Sequence, residues 1–284
     1  MNCGCLLFAH DGKLDYGSQA VLAARLAIKH LSVPVSLVTD QLTLDNINKS
    51  FDTLPFDQII IVDKPHADNK RYLSNGNTGE VVEFINSNRS NAYALTPYDR
   101  TLLLDTDFLI LSNSLSRFWN DASDFLITTQ MIDLTYLGHN QRHSKLSQYS
   151  IDMVWATNIM FTKNQQTKLI FDLVEHVKEN YRYYGRLYDF DSTQYRNDFA
   201  FSVACHILSG HGCDKCYDTL PSPIFIRDVD QLIDVNSDRL LFLLKDYNKP
   251  DNYNLLKTAG QDIHLMNKRC LLENLDKLLE LSNV

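Results

Sequence analysis

The sequence predicts an α/β fold built on a parallel sheet with helices on both faces. Two observations carry that expectation. The first third of the chain alternates short apolar runs with amphipathic segments in a β-α-β-α-β pattern, which calls for parallel strands joined by helical crossovers. The run "RTLLLD" is then apolar without a break, as a strand buried on both faces requires.

The elements follow in order. "CLLF", Cys5 to Phe8, is a short buried strand. "SQAVLAARLAIKHL" is a helix with Ser18 as its N-cap, and Val21, Leu22, Leu26 and Ile28 supply its apolar surface. "VPVSLVTD" is the second strand, "LDNINKSF" a short helix, and "FDQIIIVD" the third strand. Residues Lys64 to Asn77 are polar and rich in Asn and Gly, so a loop is expected. "TGEVVEFINSN" reads as a helix, and "RTLLLD" is a fourth, central strand. Beyond it, "DFLITT" and "VWATNIMFTK" are strands, with the polar, mildly basic loop "YLGHNQRHSKLSQYS" between them. "QTKLIFDLVEHVKENYRYYG" is one long amphipathic helix and "RNDFAFSVACHIL" another. In the tail, Leu271, Leu272, Leu275, Leu278 and Leu279 form one helical face. No internal repeat or linker interrupts the pattern. The expectation is a single domain over residues 1–284.

Composition narrows the function classes. The 284 residues are 44% hydrophobic and 22% charged, enough for a sizeable core. No apolar run approaches the roughly 20 residues of a membrane span, and "MNCGCLLFAH" has no basic n-region, so a soluble cytoplasmic protein is expected. The net charge of −8 argues against non-specific polyanion binding, which rests on many Lys and Arg contacts. The six cysteines show no disulfide framework. "CHILSGHGCDKC" reads as reduced thiols in a helix and the turn after it. The alternative is a zinc site drawn from Cys205, Cys213, Cys216, His206 and His211.

The central strand ends in Asp105-Thr106-Asp107. Ligands of open α/β sheets bind at that end. Two residues apart on extended backbone, the two carboxylates face the same way, and burying them without a cation is costly. A hard divalent cation accepts such oxygens together with phosphate oxygens. An arginine partner is the other way to neutralise them.

"YDRTLLLDTDFLI" resembles the D-x-D segment of GT-A glycosyltransferases, the sugar-nucleotide-dependent class. The likeness is to family 8 members and their phage-encoded relatives, and it runs over nearly the whole chain. "FAHDGKLDYGSQAVLAARLAIKHL" resembles the first strand and helix of that fold, where the nucleotide base binds. "VWATNIMFTK" resembles the strand that presents an Asn near the donor sugar. "RNDFAFSVACHIL" stands in the place of an acidic segment that contacts the sugar, and "GQDIHLMNKR" resembles the C-terminal motif that supplies a metal-binding His and a pyrophosphate-binding Lys. The resemblance implies a central, mostly parallel GT-A sheet, with a nucleotide-binding half over about 1–112 and a sugar and acceptor half over about 113–284. It also implies a metal-dependent transfer from a UDP-sugar with retention at the sugar, and Mn²⁺ or Mg²⁺ held by Asp105, Asp107 and His264. Lys268, four residues on, would share a helical face with His264 and reach the same phosphates.

On the same resemblance, the backbone at Ala9 and the ring of Tyr16 would meet the base. Arg71 and Arg89 would reach the base or the diphosphate, alongside Asp105. Asp198 and Asn158 would face the donor sugar as catalytic residues. "RND" replaces the family's Asp-Gln-Asp, and the C-terminal motif lacks its Gly and Pro-Trp. For the acceptor, His139, Arg142, His143 and Lys145 and the run "NYRYYGRLYDFDSTQYR" would frame a groove. That run interleaves Arg182, Arg186 and Arg196 with Tyr181, Tyr183, Tyr184, Tyr188 and Tyr195. Such mixtures suit nucleic-acid bases, sugars or plain core packing. A hydroxymethylated base in phage DNA is one acceptor; carbohydrate, lipid-linked and protein acceptors are the others, and a nucleotide-sugar-binding module without catalysis is the non-enzyme reading. The stretch "AHDGKLDYGS" has no phosphate-loop spacing, which disfavours a nucleotidyltransferase.

Overall fold

The computed structural model describes residues 1–64, 69–74, 79–85, 87–135, 145–212, 214–236, 239–246, 249 and 251–282. The chain opens with β1 (Cys3–Ala9), α1 (Tyr16–Leu31), β2 (Val35–Thr39), α2 (Gln41–Ser50) and β3 (Gln58–Ile61). A hairpin of β4 (Asn69–Ser74) and β5 (Gly79–Phe84) follows, then a 3₁₀ turn over Ser87–Asn91, α3 (Ala92–Leu95), β6 (Arg100–Leu104) and β7 (Phe108–Leu109). After a second 3₁₀ turn, Ser116–Asn120, come β8 (Phe125–Thr128), β9 (Trp155–Thr162), α4 (Gln165–Glu179), α5 (Tyr181–Leu187) and α6 (Asn197–Leu208). The last part holds β10 (Asp218–Leu220), β11 (Ile224–Ile226), β12 (Gln231–Asn236), β13 (Arg239–Lys245), β14 (Tyr253–Thr258) and β15 (Ile263–Leu265), with α7 (Lys268–Glu273) and α8 (Leu275–Ser282) closing the chain.

Seven strands form the central sheet in the order β10-β8-β9-β6-β1-β2-β3. It is mostly parallel; β9 runs against both neighbours. β6 lies in the middle, and all five of its residues are buried. One face carries α4 and α6 on Phe125, Ile159, Phe161, Phe171 and Phe201. The other packs Leu7, Leu37, Leu102 and Leu104 against α1. A second core joins the far side of α1, through Leu22 and Leu26, to β7, β11, β15, the β12-β13-β14 sheet and the last two helices. The small sheet β11-β15-β7 brings the C-terminal segment to the end of the central strand: Ile263 pairs with Leu109 and His264 with Phe108. That pairing positions the site.

Local departures from the sequence reading have local causes. Asp15, not Ser18, caps α1: its Oδ1 accepts the Ser18 amide N–H at 2.7 Å and its Oδ2 accepts the Ser18 hydroxyl at 2.6 Å. Residues 79–84, expected as a helix, are a strand, and 69–74 leave the expected loop to pair with them. The segment is too short to hold a helix alone, and Val82 gains burial against Leu14 as a strand residue. The long helix is two, broken at Asn180, whose side chain donates to the carbonyl of His176 at 2.9 Å. The tail breaks likewise at Asn274.

Candidate metal and nucleotide site

Asp105 and Asp107 leave the end of β6 at the carboxyl edge of the sheet. The Asp105 amide donates to the carbonyl of Thr157 on β9 at 2.9 Å, and the Leu265 amide on β15 donates to the carbonyl of Asp107 at 2.9 Å. These two bonds lock the turn between the central sheet and the C-terminal strand. One ligand atom each from Asp105, Asp107 and His264 lies within 4.8 Å of the others. His264 Nε2 is 3.5 Å from Asp107 Oδ1, and Nδ1 lies 3.4 Å from the Thr157 hydroxyl. Two carboxylates and one imidazole suit a hard or borderline divalent cation.

Each carboxylate also meets a cation of the protein. Arg89 Nη1 donates to Asp105, and the Lys268 ammonium donates to Asp107. The Lys268 and Asp107 side chains are 8% and 4% exposed, so this is a buried ion pair. Burial pushes the Asp107 carboxyl up, yet Lys268 and His264 together outweigh it and hold the group well below the usual carboxylate range. Arg89 is buried, and its Nε and Nη2 have no partner among the described residues. Those N–H groups are donors in search of an anion, which fits a phosphate.

Past the end of β1 lies a cavity of about 500 Å³, lined among others by His10, Asp11, Tyr16, Lys64, Lys70 and Glu83. Its volume is within the range of small-molecule pockets. Tyr16 stands at the first turn of α1, and the Ala9 carbonyl accepts the Thr39 hydroxyl at 2.8 Å. Sequence reasoning passed over the buried polar relay beneath the cavity. His10 Nδ1 lies 3.0 Å from Asp40 Oδ2, and its Nε2 lies 3.0 Å from Asn88 Nδ2, one residue before Arg89. Asp40 also accepts from the amide and hydroxyl of Thr43, at 3.1 and 2.8 Å. A neutral imidazole satisfies both contacts, donating to Asp40 and accepting from Asn88. Burial accordingly lowers the His10 pKa, against the pull of Asp40. The signal was present: Asp40, like Asp105, ends an apolar strand.

The other expected residues fall in different places. Asp198 Oδ1 accepts the Ala156 amide at 2.8 Å, and Oδ2 accepts Arg196 Nη2 at 2.9 Å. Ala156 precedes Thr157, so Asp198 is tied through β9 to the metal-ligand cluster. Asn158 is fully buried and accepts the Thr128 hydroxyl. It follows Thr157 in the stretch between Trp155 and Ile159 where the pairing of β9 with β8 shifts register. Arg71 lies on β4, with its side chain outside the described residues, as are His139, Arg142, His143 and Cys213. Of the tyrosine run, Tyr181, Tyr184 and Tyr188 are core residues, whereas Tyr183 is exposed. Cys216 Sγ lies 3.5 Å from the Cys205 carbonyl, and among the described residues the cysteines and histidines there form no metal-ligand cluster.

No protein-family model matches the sequence, and no curated protein matches it. Solved structures do. The galactosyltransferase LgtC, in complex with donor and acceptor sugar analogs, superposes with a TM-score of 0.52 at 12% identity, over 98% of this chain and 95% of that one. An active-site mutant of LgtC gives 0.53 at 14% identity, with the same coverage. The glycosyltransferase GlyE of Streptococcus pneumoniae TIGR4 gives 0.42 at 11% identity, over 76% of this chain; the match spans 44% of GlyE. The architecture is thus the mixed α/β GT-A fold, shared with LgtC across both chains.

Proposed function

We propose that this protein is a metal-dependent glycosyltransferase that moves a sugar from a nucleoside-diphosphate sugar, a UDP-sugar first, to an acceptor hydroxyl. The observation that carries the reading is the Asp105-Asp107-His264 cluster at the end of the central strand, flanked by the buried cations Arg89 and Lys268. A bound Mn²⁺ or Mg²⁺ supplies charge neutralisation for the diphosphate leaving group. The two carboxylates and His264 would hold it. Arg89, with two unspent N–H groups, and Lys268 then pair with phosphate oxygens. The cavity at His10, Tyr16 and Lys64 takes the nucleoside, with Tyr16 against the base and Ala9 at its edge. Arg71 on the neighbouring hairpin serves as a further contact to base or diphosphate. Asp198 holds Ala156 and Arg196 on the sugar side of the cluster and orients that wall. LgtC's binding of donor and acceptor sugar analogs supports the reading through the shared fold. We assign retention to the transfer on family resemblance.

The test is release of UDP or GDP from a panel of nucleotide sugars with Mn²⁺ and with EDTA. It is run with simple saccharides and with hydroxymethylcytosine-containing DNA as acceptors. Metal-dependent UDP release is expected, and it should vanish in Asp105→Asn/Asp107→Asn. Stimulation by the DNA would place the acceptor in nucleic acid; stimulation by saccharides alone would place it in carbohydrate. Nucleotide-sugar binding without turnover under any condition would make the chain a binding module, and unchanged Mn²⁺ affinity in the double variant would remove the proposed metal site.

A further inference from the structure

The chain reverses after α6 and folds back onto it. The reversal passes through left-handed backbone at Gly210 and His211, with φ of 65° and 58°. The amides of Ser209, Gly210 and His211 donate to carbonyls of the last helical turns, at 2.9, 3.0 and 3.0 Å. Cys216 is thereby returned to the side of Cys205. One hydroxyl fastens the two residues together: Ser209 Oγ accepts the Cys216 amide at 3.1 Å and donates to the Cys205 carbonyl at 2.8 Å. Cys216 Sγ lies 3.5 Å from that same carbonyl oxygen, and the two side chains hydrogen-bond to each other. Both cysteines are free thiols. Cys205 is 1% exposed and sealed in the aromatic core, whereas Cys216 is half-buried and reaches solvent.

The surroundings divide the roles of the two sulfurs. The hydrogen bond from Cys205, helped by Ser209 and opposed by burial, brings the Cys216 pKa down to about 7. The same hydrogen bond and burial push the Cys205 thiol up. A thiol that titrates near the ambient pH is the better attacker of a disulfide, and an accessible one is reached first. We propose that Cys205 and Cys216 form a reversible dithiol-disulfide pair, oxidised by small disulfides of the glutathione class, with Cys216 as the attacking sulfur and Cys205 as the resolving one. The Cys216 thiolate attacks one sulfur of glutathione disulfide, forms a mixed disulfide and releases one glutathione thiolate. Cys205 then attacks the Cys216 sulfur, breaks its bond to glutathione and releases the second thiolate. The two protons of the protein thiols pass to the two glutathione thiolates, so the pair is oxidised and one glutathione disulfide is reduced to two thiols. Cys205 needs no solvent access for this step, because the sulfur it attacks is already its neighbour. Cys216 lies on irregular chain between α6 and β10, which follows the sulfur as the bond closes. The proposal makes no use of the transferase reading, and donor hydrolysis does not test it.

The experiment incubates the full chain with glutathione disulfide, alkylates the remaining thiols, digests the protein and maps the peptides by mass spectrometry. The expected product is a peptide pair joined through Cys205 and Cys216, lighter by two hydrogen atoms than the free peptides together and separated again by dithiothreitol. Cys213→Ser should still form it. Cys205→Ala should stop at the mixed disulfide on Cys216. Cys216→Ser, at the half-buried position, should keep the parent's melting curve and lose both products. The proposal is overturned if glutathione disulfide leaves Cys205 and Cys216 open to alkylation in the parent, if Cys216 pairs with Cys213 instead, or if folded Cys205→Ala still closes an intramolecular disulfide at Cys216.

Discussion

Lys268 and Asp107 form a buried ion pair, and removing one member of such a pair leaves the other charge stranded. Lys268→Ala should therefore destabilise the metal-free protein by about 3–5 kcal/mol in urea unfolding. If Asp107 is a metal ligand, Mn²⁺ should raise the variant's unfolding midpoint by more than it raises the parent's, because the ion replaces the lost ammonium. Equal shifts would argue against a metal at Asp107. His10 supplies a pH dependence. Its folded pKa is depressed by burial, so the unfolded chain takes up its proton at a higher pH than the native chain. The resulting stability is complete above about pH 6.5 and is lost as pH falls through the lower folded value. Melting temperatures from pH 8 down to pH 5 should show that loss, and His10→Gln should flatten part of it. His30 and His206, also depressed by burial, act in the same direction.

At the scale of elements, β1 depends on a missing side chain. A Cβ at Gly4 would sit 2.4 Å from the ring of Tyr98, which is 1% exposed and bonded through its hydroxyl to Ser36 at 2.7 Å. The ring has no room to retreat, so Gly4→Ala should cost about 1–3 kcal/mol, read as a lower urea midpoint at unchanged slope. A midpoint matching the parent's would mean that the start of β1 yields more easily than its packing implies. The hairpin of β4 and β5 shows why elements can be misread locally. "GEVVEF" has two valines and two glutamates, compatible with a helix turn or a strand. Pairing to 69–74 and burial of Val82 decided between them, and neither is visible within the segment.

At the scale of the whole molecule, the site exists because four distant segments meet at one sheet edge: β6, the 3₁₀ turn at 87–91, the start of β9, and β15 with α7. Asp107 and Lys268 are separated by 161 positions, and Asp105 and Arg89 by 16. Their convergence makes the donor-hydrolysis test decisive for the assembly as a unit. Under the proposed function, EDTA and loss of either cation should each abolish turnover, with the parent fold retained.

The sequence by itself determined the alternation of strands and helices in the first third, the central place of "RTLLLD", and the carboxylate pair at its end. These are legible because apolar runs and side-chain periodicity are local consequences of burial. Tertiary structure alone decided that Arg89 and Lys268 clamp those carboxylates, and that His10 is held neutral between Asp40 and Asn88. It also decided that Asn158 is buried with its side-chain oxygen accepting the Thr128 hydroxyl. Each of these depends on long-range strand pairing and on which face of a strand looks toward which neighbour. One residue of register reverses that outcome, and no local pattern specifies it.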